Sequence, residues 1–314
     1  MRRFAQSAAT ISLAAVLLVG CAGPQATLTA PETMGQTRAI SSDRSRQRLF
    51  VTEYSQNTLL VYDATEKRRN PEKRITIGLG EPSGDCIDGN GTLYVVNTEG
   101  WISEYPAGRT RPNLIIKKGL GSPEFCAIDG GGNLWVTDLY VSRLKRRSGP
   151  SLTEYPAGSK KPSTIIMKGL SLPLGIAFDQ SGNMYVANRI GSSSGNVIVY
   201  APGGKSPVRS ITDGITSPIG IAVDANGTLY VANSNESNIV EFESGSSVPY
   251  RTIKRGLYMP VAVTVNERGW LYVANLGTNS ILEFPPGSVK PLHRQISNDL
   301  DDPQGLAYSP PLLP

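Results

Sequence analysis

Leu229-Tyr230-Val231-Ala232-Asn233 decides the fold, because the same five-residue pattern recurs along the chain. It reads Leu49-Phe50-Val51-Thr52-Glu53, Leu93-Tyr94-Val95-Val96-Asn97 and Leu134-Trp135-Val136-Thr137-Asp138. Further on come Met184-Tyr185-Val186-Ala187-Asn188 and Leu271-Tyr272-Val273-Ala274-Asn275. The six copies are spaced 44, 41, 50, 45 and 42 residues apart. Repeats of about 40 to 50 residues rich in β-formers mark a solenoid or a propeller.

Working outward, each repeat holds four short β-prone runs. Pro218-Ile219-Gly220-Ile221-Ala222-Val223-Asp224 precedes the quoted stretch, separated from it by the turn Ala225-Asn226-Gly227. Asn and Gly are the residues tight turns select. A polar loop from Asn233 to Asn238 leads to Ile239-Val240-Glu241-Phe242, and a Gly/Ser turn leads to a fourth run near Tyr250 to Ile253. Four antiparallel strands of this length make one blade of a propeller. The third runs often end at proline, as in Glu104-Tyr105-Pro106 and Glu154-Tyr155-Pro156. The fourth begin near Pro112, Pro162, Pro207, Pro249 and Pro291. Proline cannot donate to a ladder, so these positions suit outer, edge-forming strands.

Five internal first runs begin at Pro82, Pro123, Pro173, Pro218 and Pro260, against six second runs. The sixth first run stands near the far end, at Pro303-Gln304-Gly305-Leu306-Ala307-Tyr308. The expectation is an all-β, six-bladed β-propeller of four antiparallel strands per blade, with the C-terminal strand completing blade 1. An open solenoid would instead carry polar caps. The repeated aromatics Tyr94, Trp135, Tyr185, Tyr230 and Tyr272 are expected to pack blade against blade.

Ahead of the repeats, Arg2 and Arg3 precede an apolar run that ends at Leu18-Val19-Gly20-Cys21. A charged start, a short apolar core and small residues form a secretory leader, too short for a stable bilayer span. The segment resembles a bacterial lipoprotein signal with its lipobox. That resemblance implies cleavage before Cys21 and acylation of Cys21, with Ala22 pointing to the outer membrane. Two or more acyl chains suffice for durable anchoring. The division expected is 1–20 signal peptide, 21–45 flexible tether and 46–314 propeller.

The formal charge is +5, and removing Arg2 and Arg3 with the leader leaves 29 basic residues against 26 acidic. That bias is too small to argue for a nucleic-acid partner. The densest basic cluster, Arg143, Lys145, Arg146 and Arg147, reads as a solvated loop, with anionic lipid or glycan contact as the functional alternative. His293 is the single histidine, so no His-based triad and no three-histidine metal site can exist within one chain. It is expected on an outer strand.

Glu53, Asn97, Asp138, Asn188, Asn233 and Asn275 close the six second runs. Side chains of this kind accept hydrogen bonds from the backbone of their own turn; a ring of oxygen ligands for calcium is the alternative. Asp88-Gly89-Asn90-Gly91, Asp179-Gln180-Ser181-Gly182 and Asp224-Ala225-Asn226-Gly227 lack the length of a calcium loop and read as turns. Cys126 aligns with Asp85, one residue away from Cys86. A one-residue offset turns two side chains to opposite sheet faces, and neighbouring blades touch through opposite faces. Two arrangements follow: a Cys86–Cys126 disulfide between blades, which an exported compartment permits, or two thiols each filling space toward its other neighbour.

The order Gly220-Ile221-Ala222-Val223-Asp224, Asn226-Gly227, Leu229-Tyr230-Val231-Ala232-Asn233 resembles the repeat of NHL-repeat propellers and the wider gluconolactonase-like superfamily, over about residues 46 to 310. Lactonases of that group hold a divalent cation at the central cavity through a Glu, an Asn and an Asp. The positions matching their Asp motif are Ser83, Glu124, Leu174, Ile219, Val261 and Gln304, of which three are apolar. Glu81 before Pro82 loosely matches their Glu. The resemblance therefore supplies Glu81 and Glu124 as candidate catalytic and metal-binding carboxylates, but no complete ligand set.

The function expected is an envelope lipoprotein that works as a binding module. It would be held to membrane lipid through acylated Cys21 and engage an unknown protein, glycan or small molecule at a loop rim. The loops concerned are Asn97 to Trp101, Leu139 to Ser148, Arg189 to Ser194 and Ser234 to Ser237. No cofactor is expected, with calcium or another divalent cation as the exception. The alternatives are a divalent-metal lactonase-like hydrolase and a structural scaffold of the envelope.

Overall fold

The computed structural model describes residues 47–65, 70–140, 149–293 and 295–309. The leader, Cys21, the tether and the basic loop at Arg143 to Arg147 lie outside the described residues. The rest is built of twenty-three short strands and one single-turn 3₁₀ helix at Leu276–Thr278.

Blade 1 contains β1 (Arg48–Glu53), β2 (Thr58–Asp63), β3 (Lys73–Ile75) and β23 (Pro303–Ser309). Blade 2 contains β4 (Pro82–Ile87), β5 (Leu93–Asn97), β6 (Trp101–Tyr105) and β7 (Leu114–Ile116). Blade 3 contains β8 (Pro123–Ile128), β9 (Leu134–Asp138), β10 (Ser151–Tyr155) and β11 (Thr164–Ile166). Blade 4 contains β12 (Leu172–Phe178), β13 (Met184–Arg189), β14 (Gly195–Tyr200) and β15 (Pro207–Ile211). Blade 5 contains β16 (Pro218–Val223), β17 (Leu229–Asn233), β18 (Asn238–Phe242) and β19 (Pro249–Ile253). Blade 6 contains β20 (Pro260–Val265), β21 (Leu271–Asn275) and β22 (Ser280–Phe284).

Closure is as expected. β23 pairs antiparallel with β1, with Tyr308 opposite Leu49, Ala307 opposite Phe50 and Leu306 opposite Val51. Tyr308 stacks on Tyr272 of blade 6, ring centroids 5.8 Å apart, so the C-terminal strand joins the first and last blades. The strands β23, β4, β8, β12, β16 and β20 touch one another in cyclic order and form the innermost ring. Blade 6 departs from the expectation of four strands. Its sheet has three, and the outer position is held by a single bridge, Ile281 to Ile296, with the Leu292 N–H on the Glu283 carbonyl. Pro291 cannot donate to a ladder, and the segment runs irregularly past it. His293 is accordingly exposed in this irregular stretch and not on an outer strand.

The inner ring is tight because its third positions are small. Gly84, Gly175, Gly220 and Gly305 stand there, with Ala262 in blade 6. A Cβ on Gly84 would lie 2.7 Å from the Phe125 Cα, and one on Gly220 would lie 2.7 Å from the Ala262 Cα. Backbone thus approaches backbone between neighbouring inner strands, which only the absence of a side chain allows. Phe125 is the exception to the pattern and supplies a ring where the other copies have nothing. The ladders of blades 2 to 6 slip in register just after their inner-strand prolines, and β-bulges of this kind bend and re-aim a strand.

Between blades the core is apolar, as expected of sheets covered on both faces. Tyr94, Trp135, Tyr185, Tyr230 and Tyr272 are all buried. Three of them also carry a polar handle: Trp135 Nε1 donates to Asp129, the Tyr185 hydroxyl to Asp179 and the Tyr230 hydroxyl to Asp224. The outer prolines are seams as well as edge guards. Pro112, Pro162, Pro207, Pro249 and Pro291 face Gly78, Gly119, Gly169, Gly214 and Gly256, each a glycine with positive φ at the exit of the previous blade. Cys86 and Cys126 are joined across blades 2 and 3 by a disulfide, with Cα atoms 5.7 Å apart.

Candidate functional site

The antiparallel winding puts two kinds of loop at one end of the ring: those leading into the inner strands, and those following the second strands. This end carries the sequence-derived candidates. Its geometry is set by the residues that close the second strands.

All six are buried and do one job. Each uses a side-chain oxygen to accept the backbone N–H two residues before the inner-strand proline of its own blade. The pairs are Asp301 to Glu53, Gly80 to Asn97, Gly121 to Asp138, Ser171 to Asn188, Thr216 to Asn233 and Tyr258 to Asn275, at 2.7 to 3.2 Å. The expectation of a bond to their own turn holds for Asp138, which accepts the Tyr140 N–H; the bond common to all is a different one, since the clamp reaches a loop 17 residues upstream in the five internal copies. The sequence signal for this was the constant distance between each acid or amide and its proline. Amide nitrogens of Asn97, Asn233 and Asn275 are also engaged, bonding the carbonyls of Val95, Gly214 and Gly256. Burial lifts the Asp138 carboxyl above its ordinary range, against the N–H groups of Gly121, Ser122 and Tyr140 that hold it down. The Asp turns at the opposite end are turns as read: Asp88 and Asp224 each accept N–H groups two and four residues on.

The mouth of the ring is framed by the residues that follow the inner-strand prolines. Ser83, Glu124 and Gln304 come from blades 2, 3 and 1. Leu174, Ile219 and Val261 come from blades 4, 5 and 6. One half is therefore polar and the other apolar. Phe125 packs against the core between blades 3 and 4 and also against the cluster of blades 6 and 1. Its ring spans the axis, and Ile219 joins the same cluster, so this end of the channel is plugged by hydrocarbon.

Glu124 accepts the Ser83 hydroxyl at 3.1 Å. Burial pushes its carboxyl up to about 7, opposed by that hydroxyl and reinforced by the nearby charge of Asp138. Glu81 sits in the left-handed region at φ 49. Its carboxylate accepts the Tyr54 hydroxyl at 2.9 Å and the Thr98 hydroxyl at 3.0 Å. The structure thus brings Glu81 and Glu124 to the same end and satisfies each with hydroxyl donors. Among the described residues no three His, Cys, Asp or Glu side chains converge to hold a metal ion.

Two features escaped the sequence reading. The first is exposed apolar surface. Of the ten large hydrophobic residues that are exposed among the described residues, Ile77, Tyr140, Leu172, Ile190, Tyr258 and Met259 all stand at this one end. Tyr258 lies flat on Gly277, where a Cβ would collide with its ring. Loop-to-loop bonds stitch the rim, from Asn235 to the Ser192 carbonyl and from the Met259 N–H to Ser237. An apolar residue just before an inner-strand proline, as at Leu172 and Met259, was the available signal. The second is Asp85, a carboxylate where the other blades have Cys126, Ile176, Ile221, Val263 and Leu306.

No family model matches this chain, and no curated protein matches it. Solved structures do. A chain of a nidogen/laminin complex aligns at TM-score 0.70 and 19% identity, covering 83% of this chain and 98% of that one. A protein of unknown function from Bacteroides caccae aligns at 0.66 and 16%, covering 84% and 99%. A chain of Kuenenia stuttgartiensis hydrazine synthase aligns at 0.56 and 14%, covering 75% and 72%. At these identities the likeness is one of fold, and it agrees with a closed propeller.

Proposed function

We propose that this propeller is a protein-binding module that works through the rim bearing Ile77, Tyr140, Leu172, Ile190, Tyr258 and Met259. The observation that carries this is that six of the ten exposed large hydrophobic side chains among the described residues stand at one end of the ring. Aromatic and Met side chains are enriched where partners dock. The nidogen/laminin complex supports the reading as an example of a related fold found in a protein complex. The test is a photo-crosslinker placed at Tyr258 or Leu172 in cells. A discrete adduct from both positions, and none from Val208 on the outer strand β15, is the expected result. Adducts of equal yield from all three would contradict it.

The location belongs to the same proposal and rests on the leader: Cys21 acylated, the ring tethered to the outer membrane, and kinship with NHL-repeat propellers. Detergent-phase partitioning of the whole chain, lost in Cys21→Ala, checks the anchor. A divalent-metal hydrolase is the second reading, favoured by the polar half of the mouth, where Ser83 donates to Glu124 and Glu81 stands on the loop leading into the same blade. An ion there would act as Lewis acid on a carbonyl. Metal analysis of the purified protein checks it, with Glu81→Gln and Glu124→Gln each expected to lower the bound metal.

A further inference from the structure

The outer strands carry a repeated device at the end of the ring away from the rim. Strand register aligns Lys73, Leu114, Thr164, Arg209 and Arg251 as one column of the fourth strands. Where this residue is basic, it reaches the turn after the third strand of the next blade. Lys73 Nζ donates to the Gly108 carbonyl at 3.4 Å, Arg209 Nη1 to the carbonyls of Gly245 and Ser246, and Arg251 Nη1 to the Gly287 carbonyl at 2.8 Å. In blade 5 the same guanidinium also gives its Nε–H to the buried Glu241 carboxylate at 2.9 Å, beside the Tyr250 hydroxyl. One side chain thus closes a seam between blades and neutralises a carboxylate.

Blade 2 has the acceptors of blade 5 and lacks the donor. Glu104 stands where blade 5 has Glu241, Tyr94 where it has Tyr230 and Asp88 where it has Asp224. Asn113 replaces Tyr250 as hydrogen-bond partner of the carboxylate. Leu114 takes the place of Arg251 and packs on the core between blades 2 and 3. A half-open cleft of about 680 Å³ lies there, lined by Glu104, Tyr94 and Asp88 and, across the seam, by Gly158, the counterpart of Gly287. Tyr94 is 7% exposed. Among the described residues nothing bonds its hydroxyl, whereas Tyr185 and Tyr230 each bond the Asp of their own blade. Asp88 meets its turn through Oδ1 alone. Lys160 acts on Glu104 through space, without an ion pair among the described residues. The seam between blades 3 and 4 also lacks the arginine, but there the Ser163 hydroxyl bonds Glu154, and Asp129 takes Trp135 and Asn133.

A half-buried carboxylate is best matched by a cation that also donates hydrogen bonds, and a planar guanidinium serves a carboxylate and a carbonyl at once. The three carboxylates at the cleft do not converge as ligands of one metal ion. We propose that the cleft between blades 2 and 3 receives an arginine side chain of another polypeptide. Its guanidinium bridges Glu104 and the Gly158 carbonyl as Arg251 bridges Glu241 and Gly287. The half-open shape leaves the chain that carries the arginine outside the cleft. This site is separate from the rim and does not depend on the protein-binding reading there.

The probe is Nα-acetyl-L-arginine methylamide, titrated into the purified full chain by calorimetry and thermal shift at low ionic strength, where charge pairing is least screened. Saturable binding is expected, at least about tenfold weaker for the neutral citrulline counterpart and in Glu104→Gln. Leu114→Arg, which supplies the guanidinium from the blade itself, is expected to abolish binding, and Lys160→Ala to leave it intact. Near-UV circular dichroism establishes that the variants keep the native fold. No saturable response at tens of millimolar probe, equal binding of the two probes, or undiminished binding in Glu104→Gln or Leu114→Arg would each overturn the proposal. So would binding that appears only in Lys160→Ala, since the cleft would then already hold a lysine of its own.

Discussion

Asn233 shows how one side chain sets a loop. Its oxygen takes the Thr216 N–H and its nitrogen gives to the Gly214 carbonyl, so two backbone groups entering blade 5 are satisfied by a single amide. Leaving buried backbone groups unpaired costs about 1–3 kcal/mol. Asn233→Ala is therefore expected to lower unfolding free energy by about that amount, read from the denaturation midpoint at constant m-value. Glu124 makes the complementary case, since its folded carboxyl titrates near 7 while an unfolded one titrates near 4.5. The folded state then binds more protons than the unfolded across that window, so stability falls as pH rises through it and stays lower above. The steepest loss is about 1.4 kcal/mol per pH unit. Melting curves between these limits should show the wild type losing more stability than Glu124→Gln, with Ser83 and Asp138 the groups that face the carboxyl. Asp85 stands out in the sequence as an acid in a column of Cys, Ile, Val and Leu. Its burial was not legible there, because that depends on where Gly305 and Ala307 arrive from the other end of the chain.

At the scale of elements, the inner strands were the most legible part. Proline, then one variable residue, then glycine recurs at four of the six, and the structure gives the glycine its reason in the close passage of neighbouring backbones. Gly175→Ala places a methyl 2.8 Å from the Ile221 nitrogen. Overpacking of this kind costs about 1–3 kcal/mol, and a Tm drop of several degrees in that variant is the expected observation. The fourth strands were less legible. Pro291 looked like the other outer prolines, yet it opens an irregular segment that meets β22 at Ile296. A short outer run has few bonds of its own, so its form is decided by what lies beside it and not by its sequence alone. The one-residue offset of Cys86 and Cys126 was legible, since strand alternation is strict, while the choice between a bond and two separate thiols was settled by the structure. The bridge closes a span of 40 residues, and chain-entropy estimates for loops of that length are about 3–4 kcal/mol. The paired Cys86→Ser, Cys126→Ser variant should be less stable by an amount of that order.

For the whole molecule, the ring leaves few free edges, and its two ends differ in character. One end carries apolar side chains on stitched loops above a plugged mouth; the other opens through tight Asp turns into a small cavity. Repetition explains why the ring could be read from the chain. Function is harder to read because it sits where copies differ: Phe125 against glycine or alanine, Asp85 against cysteine or an aliphatic residue, Tyr258 against glycine, serine, threonine or aspartate. Closure by β23 supports every placement made here, since it fixes which residues share the axis. Hydrogen exchange on the native protein tests it most directly. The amides of β23 that pair with β1 are expected to exchange only in the global opening, with the same free energy as those of β5 and β17. Fast exchange throughout Leu306 to Tyr308, while β5 and β17 stay protected, would contradict a closed ring.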